Sequence, residues 1–417
     1  MNNSILLINP PSPWLIDDKS SMPLGILYLA SYIRETLKYP MDFIDLAGEN
    51  KAAVPKHHRY YGITSVTPQW PIVRKIIEDI KKEAPEAKII VGGAHPSALP
   101  HRCLEEGADY AVIGEGEKSI EKILNGEKNQ IIRSERITDL DTLPFPAREL
   151  VKGYKKNVVI CSRGCPFACK FCCTKKMWGG VKIRSVRNVI SEIDDIIKKS
   201  KIDFFMIQDE TFGFNKKWAD EFCEEISKRK IKWGVQTRAR ICTPEFLEKV
   251  KKAGCVDISL GIESGSRKML KLYSKDTPEL NLEAISNISQ VGLKCRGFFI
   301  AGLPGETEET ISETEEFIAK AKKAGLTMSI AAAFIPYPGC ELYEMQKNRS
   351  DDFGAYYHFS SKEYGYGNAV TEDREQILKW KNRLQNVMGE SNEFMRLETG
   401  DERGCKVKMS KKNGPGE

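Results

Sequence analysis

Residues 158–173 read Val-Val-Ile-Cys-Ser-Arg-Gly-Cys-Pro-Phe-Ala-Cys-Lys-Phe-Cys-Cys. The β-branched run 158–161 has the character of a strand, and Ser162-Arg163-Gly164 turns it into a loop. On that loop Cys165, Cys169 and Cys172 stand at CxxxCxxC spacing. Three thiolates on so short a segment can hold three irons of a cubane cluster, leaving the fourth iron open to an outside ligand. A zinc site would want a fourth protein ligand at matching spacing. Cys173 adjoins Cys172 and cannot easily turn into the same cluster, and Cys161 belongs to the strand, so both read as packing residues. Five of the twelve cysteines fall within these thirteen positions. In a long chain with no secretory signature, such crowding speaks for metal and against a disulfide framework.

Downstream the pattern repeats strand then helix. Strands are expected at 204–208, 232–236, 257–261, 296–301 and 328–335. Helices are expected at 186–199, 217–228, 244–253, 278–291 and 308–324. With the strand at 158 this makes six βα units, too few for a closed eightfold barrel and suited to a partial (β/α)6 TIM barrel over 151–345.

Upstream, residues 1–125 also alternate, with strands expected at 5–9, 41–46, 61–66, 88–91 and 110–113. Helical spacing runs over 24–36, 73–82 and 99–107. That order predicts an α/β domain with a parallel, Rossmann-like (flavodoxin-like) sheet, whose ligands bind beyond the carboxyl ends of the strands. The unusual residues lie at those ends: Asn9-Pro10-Pro11, Ser65-Val66-Thr67-Pro68, Gly92-Gly93-Ala94-His95 and Gly114-Glu115-Gly116. Glycines let a ligand approach the backbone closely, and four such segments on one edge favour a bound ligand over mere tight turns. The short stretch between Leu46 and Tyr60 contains Pro55 and leaves little room for a crossover helix. It reads as coil carrying a surface pair, His57 and His58. Residues 126–150 read as a linker.

Composition narrows the class. A net charge of +6 over 417 residues gives no sign of a nucleic-acid coat or a membrane-surface protein. No apolar run approaches the roughly 18 residues of a membrane span. The first residues lack a basic region and lead directly into Ile5-Leu-Leu-Ile8, so a strand is expected there, no leader, and a cytoplasmic location.

The motifs together resemble the radical S-adenosylmethionine (SAM) superfamily, over about residues 155–345. Phe171 precedes the last cysteine of the triplet. Asp209 and Glu210 resemble the second-strand segment that holds the methionyl amine. Arg238 resembles the arginine that meets the SAM carboxylate. Glu263 and Ser264 resemble the ribose motif, and the segment around Ile300 the adenine motif. The first domain then resembles the cobalamin-binding module of class B radical SAM methyltransferases. In that comparison Asn9, Pro10, Ser65, Thr67, Gly92, Gly93, Gly114, Glu115 and Gly116 match cofactor-binding positions. The Asp-x-His-x-x-Gly motif that supplies a cobalt-ligating histidine elsewhere is absent. The lower face of cobalt is therefore expected under a non-ligating side chain, Trp70 first and Trp14 second, with His95 hydrogen-bonded to the cofactor's periphery.

The resemblance implies three cofactors: a 4Fe-4S cluster, SAM and cobalamin. It also implies methylation of an unactivated sp3 carbon through a 5′-deoxyadenosyl radical and methylcobalamin. Tyr337 and Glu341, near the sixth strand, are candidates for orienting the substrate. The alternatives are a cobalamin-linked cyclase or rearrangement enzyme, or C-methylation of an antibiotic, a lipid or another peptide. A methylthiotransferase is disfavoured because no second set of three cysteines precedes the first. A cobalamin or redox sensor would not need the SAM-binding residues. In compactness the chain resembles the methanogen glutamine C-methyltransferases acting on methyl-coenzyme M reductase. That implies post-translational modification of a peptide or protein substrate and an external electron donor of flavodoxin or ferredoxin type. Residues 346–400 read as a small carboxyl-terminal region, with aromatics over 353–366 and an amphipathic helix over 372–388. The tail 401–417 reads as disordered.

Overall fold

Asn2–Asn9 (β1) buries every side chain from Ser4 onward, the two-faced burial of a central parallel strand. It pairs in parallel with Met41–Asp45 (β2) on one side and His58–Thr64 (β3) on the other. Lys88–Gly92 (β4), Tyr110–Val112 (β5) and Ile131–Ile132 (β6) continue outward, giving the order β2-β1-β3-β4-β5-β6. The chain leaves β1 toward one edge and returns to the other, so a topological switch point lies between β1 and β3, where such sheets open a crevice. The helices of this half are Leu24–Ser31 (α1), Trp70–Glu83 (α2), Ala94–Ala98 (α3), Pro100–Glu105 (α4) and Glu117–Leu124 (α5). A π turn, Tyr32–Thr36, extends α1. This computed structural model describes residues 2–15, 17–48, 53–346, 350–356 and 374–389.

Two expectations change here. The expected linker contributes β6, because Ile131 and Ile132 complete the sheet beside β5; two residues are too few to show a period. The coil before residue 60 already turns into β3 at His58, whose side chain is 1% exposed.

In the second half Val158–Val159 (β7) leads into the cysteine loop. That loop is bracketed by an antiparallel pair, Ser162–Arg163 (β8) and Lys182–Ile183 (β9), with Thr174–Trp178 (α6) between them. Phe204–Ile207 (β10), Lys232–Thr237 (β11), Cys255–Glu263 (β12), Lys294–Ala301 (β13) and Met328–Ala333 (β14) stand beside β7 in chain order, all parallel. The outer helices are Val186–Ser200 (α7), Lys216–Ser227 (α8), Pro244–Lys252 (α9), Arg267–Leu272 (α10), Pro278–Gln290 (α11) and Glu308–Lys323 (α12). Five of them start on a capping side chain: Ser185, Asn215, Thr243, Thr277 and Thr307 each accept a backbone N–H. Each such cap contributes about 1 kcal/mol. Behind the strands, Phe212, Phe222 and Trp233 meet edge to face with centroids 5.4–5.8 Å apart, a geometry their ring quadrupoles favour.

Glu341–Met345 (α13) and Arg374–Met388 (α14) follow. The described part of the carboxyl-terminal region packs on both halves of the chain. Leu384 of α14 is fully buried in the barrel core, and the Lys322 ammonium donates to the Val387 carbonyl at 3.0 Å. The turn Phe353–Ala355 packs instead on the first half, with the Phe353 ring 4.8 Å from His95. The aromatics beyond Tyr356 and the tail 401–417 lie outside the described residues. Among the described residues, no helix is long and apolar enough to cross a membrane.

Candidate functional site

The cysteine loop is built by local backbone bonds. The Cys172 N–H donates to the Cys169 carbonyl at 3.0 Å, and the Thr174 N–H reaches the Cys172 sulfur at 3.5 Å. The Cys165 sulfur lies 3.4 Å from the Thr211 hydroxyl in the loop after β10. Gly164 adopts φ +99°, and a Cβ there would stand 2.6 Å from the Gly180 carbonyl. All three thiols are half-buried. Burial raises the Cys169 thiol, while the neighbouring Lys275 and Arg238 pull it down. Three thiols on one short loop suit three irons of a cubane cluster, with the fourth iron left open to an outside ligand. Cys173 turns away, its sulfur against the Pro338 carbonyl at 3.5 Å, and Cys161 is 1% exposed in the barrel core.

The strand-end residues of the barrel divide into two groups. Arg238 follows β11, with its guanidinium 4.2 Å from the Phe167 ring centroid of the cysteine loop. It is braced by Asp276 at 3.3 Å and the Ser274 carbonyl at 3.0 Å. Glu263 ends β12 at φ +71° and pairs with Lys275 at 3.1 Å. Glu210 opens toward a cavity. Phe171 packs 6.0 Å from Tyr273, and Ile300 is half-buried on β13. Two expected ligands instead face inward. Asp209 accepts from the Cys161 N–H at 2.7 Å, the Ser162 N–H at 3.2 Å and the Ser162 hydroxyl at 2.6 Å. Burial pushes its carboxyl up to about 6 against those bonds. It braces the strand that feeds the cysteine loop. The Ser264 hydroxyl lies 3.0 Å from that of Thr314 and accepts from the Ser266 N–H, leaving only backbone to face a ligand.

The four glycine- and proline-rich ends of the first sheet are tied together. The Gln69 amide donates to the Pro10 carbonyl and the Ser12 hydroxyl, and accepts from the Val66 N–H. Ser97 donates to the Gly93 carbonyl at 2.6 Å and accepts from the Gly114 N–H at 3.0 Å. At Gly93, φ is +101° and a Cβ would approach the Ser65 carbonyl to 2.8 Å.

Two cavities border this edge. The first, about 340 Å³, lies between α1 and the strand ends. Gly92, Gly93, Gly114, Glu115 and Gly116 line it from one half, and Ile160, Arg163 and Trp178 from the other. The second, about 350 Å³, is framed by Trp14, Val66, Thr67, Cys173 and Tyr337. Ala94 and Met177 stand in both walls. Such glycine-lined space beside a switch point fits a large cofactor with a tail.

Several expected ligands of that cofactor lie elsewhere. Trp70 is buried at the start of α2, donates to Glu106, and lines neither cavity. His95 is fully buried, 4.7 Å from the Trp70 ring centroid. Both its nitrogens lack a hydrogen-bond partner among the described residues, and burial lowers it to about 3, so it is neutral. Ser65 turns its hydroxyl to the Val66 carbonyl, and Asn9 donates to Asp45 and Tyr154. Glu341 is exposed in the first turn of α13 and lines neither cavity.

Two residues that the sequence reading passed over stand out. Gly25, inside α1, faces the first cavity, and a Cβ there would meet nothing within 4 Å. A glycine in a helix costs up to about 1 kcal/mol, and the visible signal was a glycine inside an apolar helical pattern. Gly25→Phe is expected to leave stability unchanged or raised, and to weaken cobalamin binding at least about tenfold by filling the cavity. Equilibrium dialysis with hydroxocobalamin measures this, and unchanged affinity would remove the cavity from the binding site. The second residue is Arg163, which bonds Glu115 at 2.9 Å and Glu117 at 2.7 Å across the two halves.

Comparison with known proteins agrees with this layout. Residues 159–318 match the family model of the Radical SAM superfamily, and residues 20–124 that of the B12 binding domain. The uncharacterized methyltransferase of Pyrococcus horikoshii is 29% identical, covering 82% of each chain. A provisionally named methylthiotransferase of Methanocaldococcus jannaschii is 30% identical over 70% of each chain. The solved structure of the radical SAM methyltransferase TsrM from Kitasatospora setae shares the fold at a TM-score of 0.66 and 16% identity, covering 82% of this chain and 77% of that one.

Proposed function

This chain belongs to the radical SAM superfamily and carries a B12 binding domain ahead of its barrel, and from that premise we propose that it is a C-methyltransferase acting on an unactivated sp3 carbon. The carrying observation is the pair of adjoining cavities between the glycine-lined sheet edge and the cysteine loop. When bound, the cluster with SAM supplies hydrogen-atom abstraction, and cobalamin supplies the methyl group. Cys165, Cys169 and Cys172 hold the cluster. Arg238 receives the SAM carboxylate and Glu210 its ammonium, while the backbone at Glu263, Ser264 and Ile300 faces the nucleoside. Gly25, Gly92, Gly93, Gly114 and Gly116 make room for the cobalamin tail. Trp14 and Val66, which line the second cavity, would stand beside the corrin there as non-ligating side chains, whereas Trp70 lines neither cavity. Apolar walls keep water from the reacting carbon, and Tyr337 orients the substrate.

A peptide or protein is the proposed substrate class, with a glutamine side chain of methyl-coenzyme M reductase first. The support is the chain's resemblance in compactness to the methanogen glutamine C-methyltransferases. The donor of electrons is proposed to be a flavodoxin or ferredoxin, and the location cytoplasmic. Methylthio transfer is disfavoured, since the sequence given has one cysteine, Cys103, ahead of Cys161 and so no second triplet there.

The test is product stoichiometry with reductant, SAM, cobalamin and a glutamine-containing peptide. Each methyl gained on carbon should release one 5′-deoxyadenosine and one S-adenosylhomocysteine. Deoxyadenosine without the homocysteine product would support a cyclase or rearrangement enzyme. Failure with peptides alongside stoichiometric turnover of a small molecule would overturn the peptide assignment and keep the methyltransferase. Absence of both products would return the chain to a sensor role.

A further inference from the structure

The opposite end of the first sheet carries a side-chain cluster that the proposed reaction does not use. Asp42 on β2, His57 just before β3 and His58 at its first position bring one ligand atom each to within 4.8 Å of one another. Among the described residues this is the one such group of three. His58 is 1% exposed, while Asp42 and His57 stand at the surface.

The cluster is held in shape. His58 Nδ1 lies 2.8 Å from the Ser4 hydroxyl on β1, which fixes the ring. The Asn2 N–H donates to the His57 carbonyl at 2.7 Å and pins the backbone between the two histidines. The His57 and His58 rings lie 4.2 Å apart, tilted by 34°. His58 Nε2 is buried and has no hydrogen-bond partner among the described residues; the nearest Asp42 oxygen is 3.6 Å away, too far for one. A buried imidazole nitrogen without a partner costs about 1–3 kcal/mol. In the tautomer that donates its Nδ1 proton to Ser4, the Nε2 lone pair faces Asp42 and His57, the orientation that a hydroxyl partner gives a ligating histidine.

We infer that Asp42, His57 and His58 form a binding site for a divalent ion of the zinc class. Two imidazoles and one carboxylate are its donor set, and about 2.0–2.2 Å bonds leave a fourth position for water. The ion joins β2 to β3 across the amino end of β1. It lies about 16 Å, five residues of strand, from the cofactor edge at Asn9. Its role is to staple the amino end of the sheet, apart from the methyl-transfer chemistry.

The test uses holoenzyme with its iron–sulfur cluster and cobalamin loaded, so that the cysteine thiols are occupied. Dialysis against micromolar zinc chloride followed by elemental analysis should give one zinc per chain, and zinc should raise the melting temperature. Asp42→Asn and His57→Ala change exposed side chains and should keep iron content and deoxyadenosine release. Each should weaken zinc binding at least tenfold and abolish the zinc-dependent rise in melting temperature. No stoichiometric zinc in the wild type, or equal zinc in the variants, would overturn the site.

Discussion

Replacing any one of Cys165, Cys169 or Cys172 by alanine is expected to remove the iron-dependent absorbance and to cut deoxyadenosine release at least about a hundredfold, some 2.7 kcal/mol of barrier. The cause is the donor count. The loop presents three thiols at CxxxCxxC spacing for three irons, so no ligand is spare. Cys173→Ala should keep both signals, because that sulfur is directed at the Tyr337 and Pro338 carbonyls. Loss of the cluster in Cys173→Ala with retention in Cys172→Ala would shift the ligand assignment by one residue.

The second large effect is expected at Arg163. Its guanidinium, Glu115 and Glu117 have side chains only 10%, 3% and 5% exposed. Removing one member of a buried ion group leaves charges without a partner, at about 3–5 kcal/mol. Arg163→Met should therefore lower the unfolding free energy by about that amount, read from urea titration of the holoenzyme. Arg163→Lys should fall between, since an ammonium keeps the charge and loses the two-pronged geometry. A change below about 0.5 kcal/mol for Arg163→Met, the size of an ordinary surface substitution, would mean the contact carries no structural weight.

Both effects trace to features of different visibility. The cysteine spacing is local, and so are the glycine and proline ends of β1, β3, β4 and β5, which is why the cofactor edge was readable. The six barrel strands were readable because short runs rich in apolar residues alternate with amphipathic helices. What escaped depends on direction or distance. Asp209 and Ser264 sit at strand ends where the sequence expects ligands, yet a strand end does not reveal which way a side chain turns. Trp70 lies two residues beyond Pro68, but it opens a helix, and the helix carries the indole toward Glu106. The pairing of Arg163 with Glu115 spans 48 residues, beyond any local pattern. Ile131–Ile132 is too short to announce a strand, and His58 lay in a gap whose length allowed a coil.

The first cavity has one wall from each half of the chain. That has a bearing on how such a protein can be taken apart or recombined. A cut anywhere between residues 133 and 157 would preserve every hydrogen bond of both sheets and still leave the cavity half-walled. Grafting the first half onto a foreign barrel would meet the same difficulty unless Arg163, Trp178 and their loop travelled with it. The working module here is therefore the seam, and inheritance of this architecture is expected to proceed by exchange of whole two-domain units.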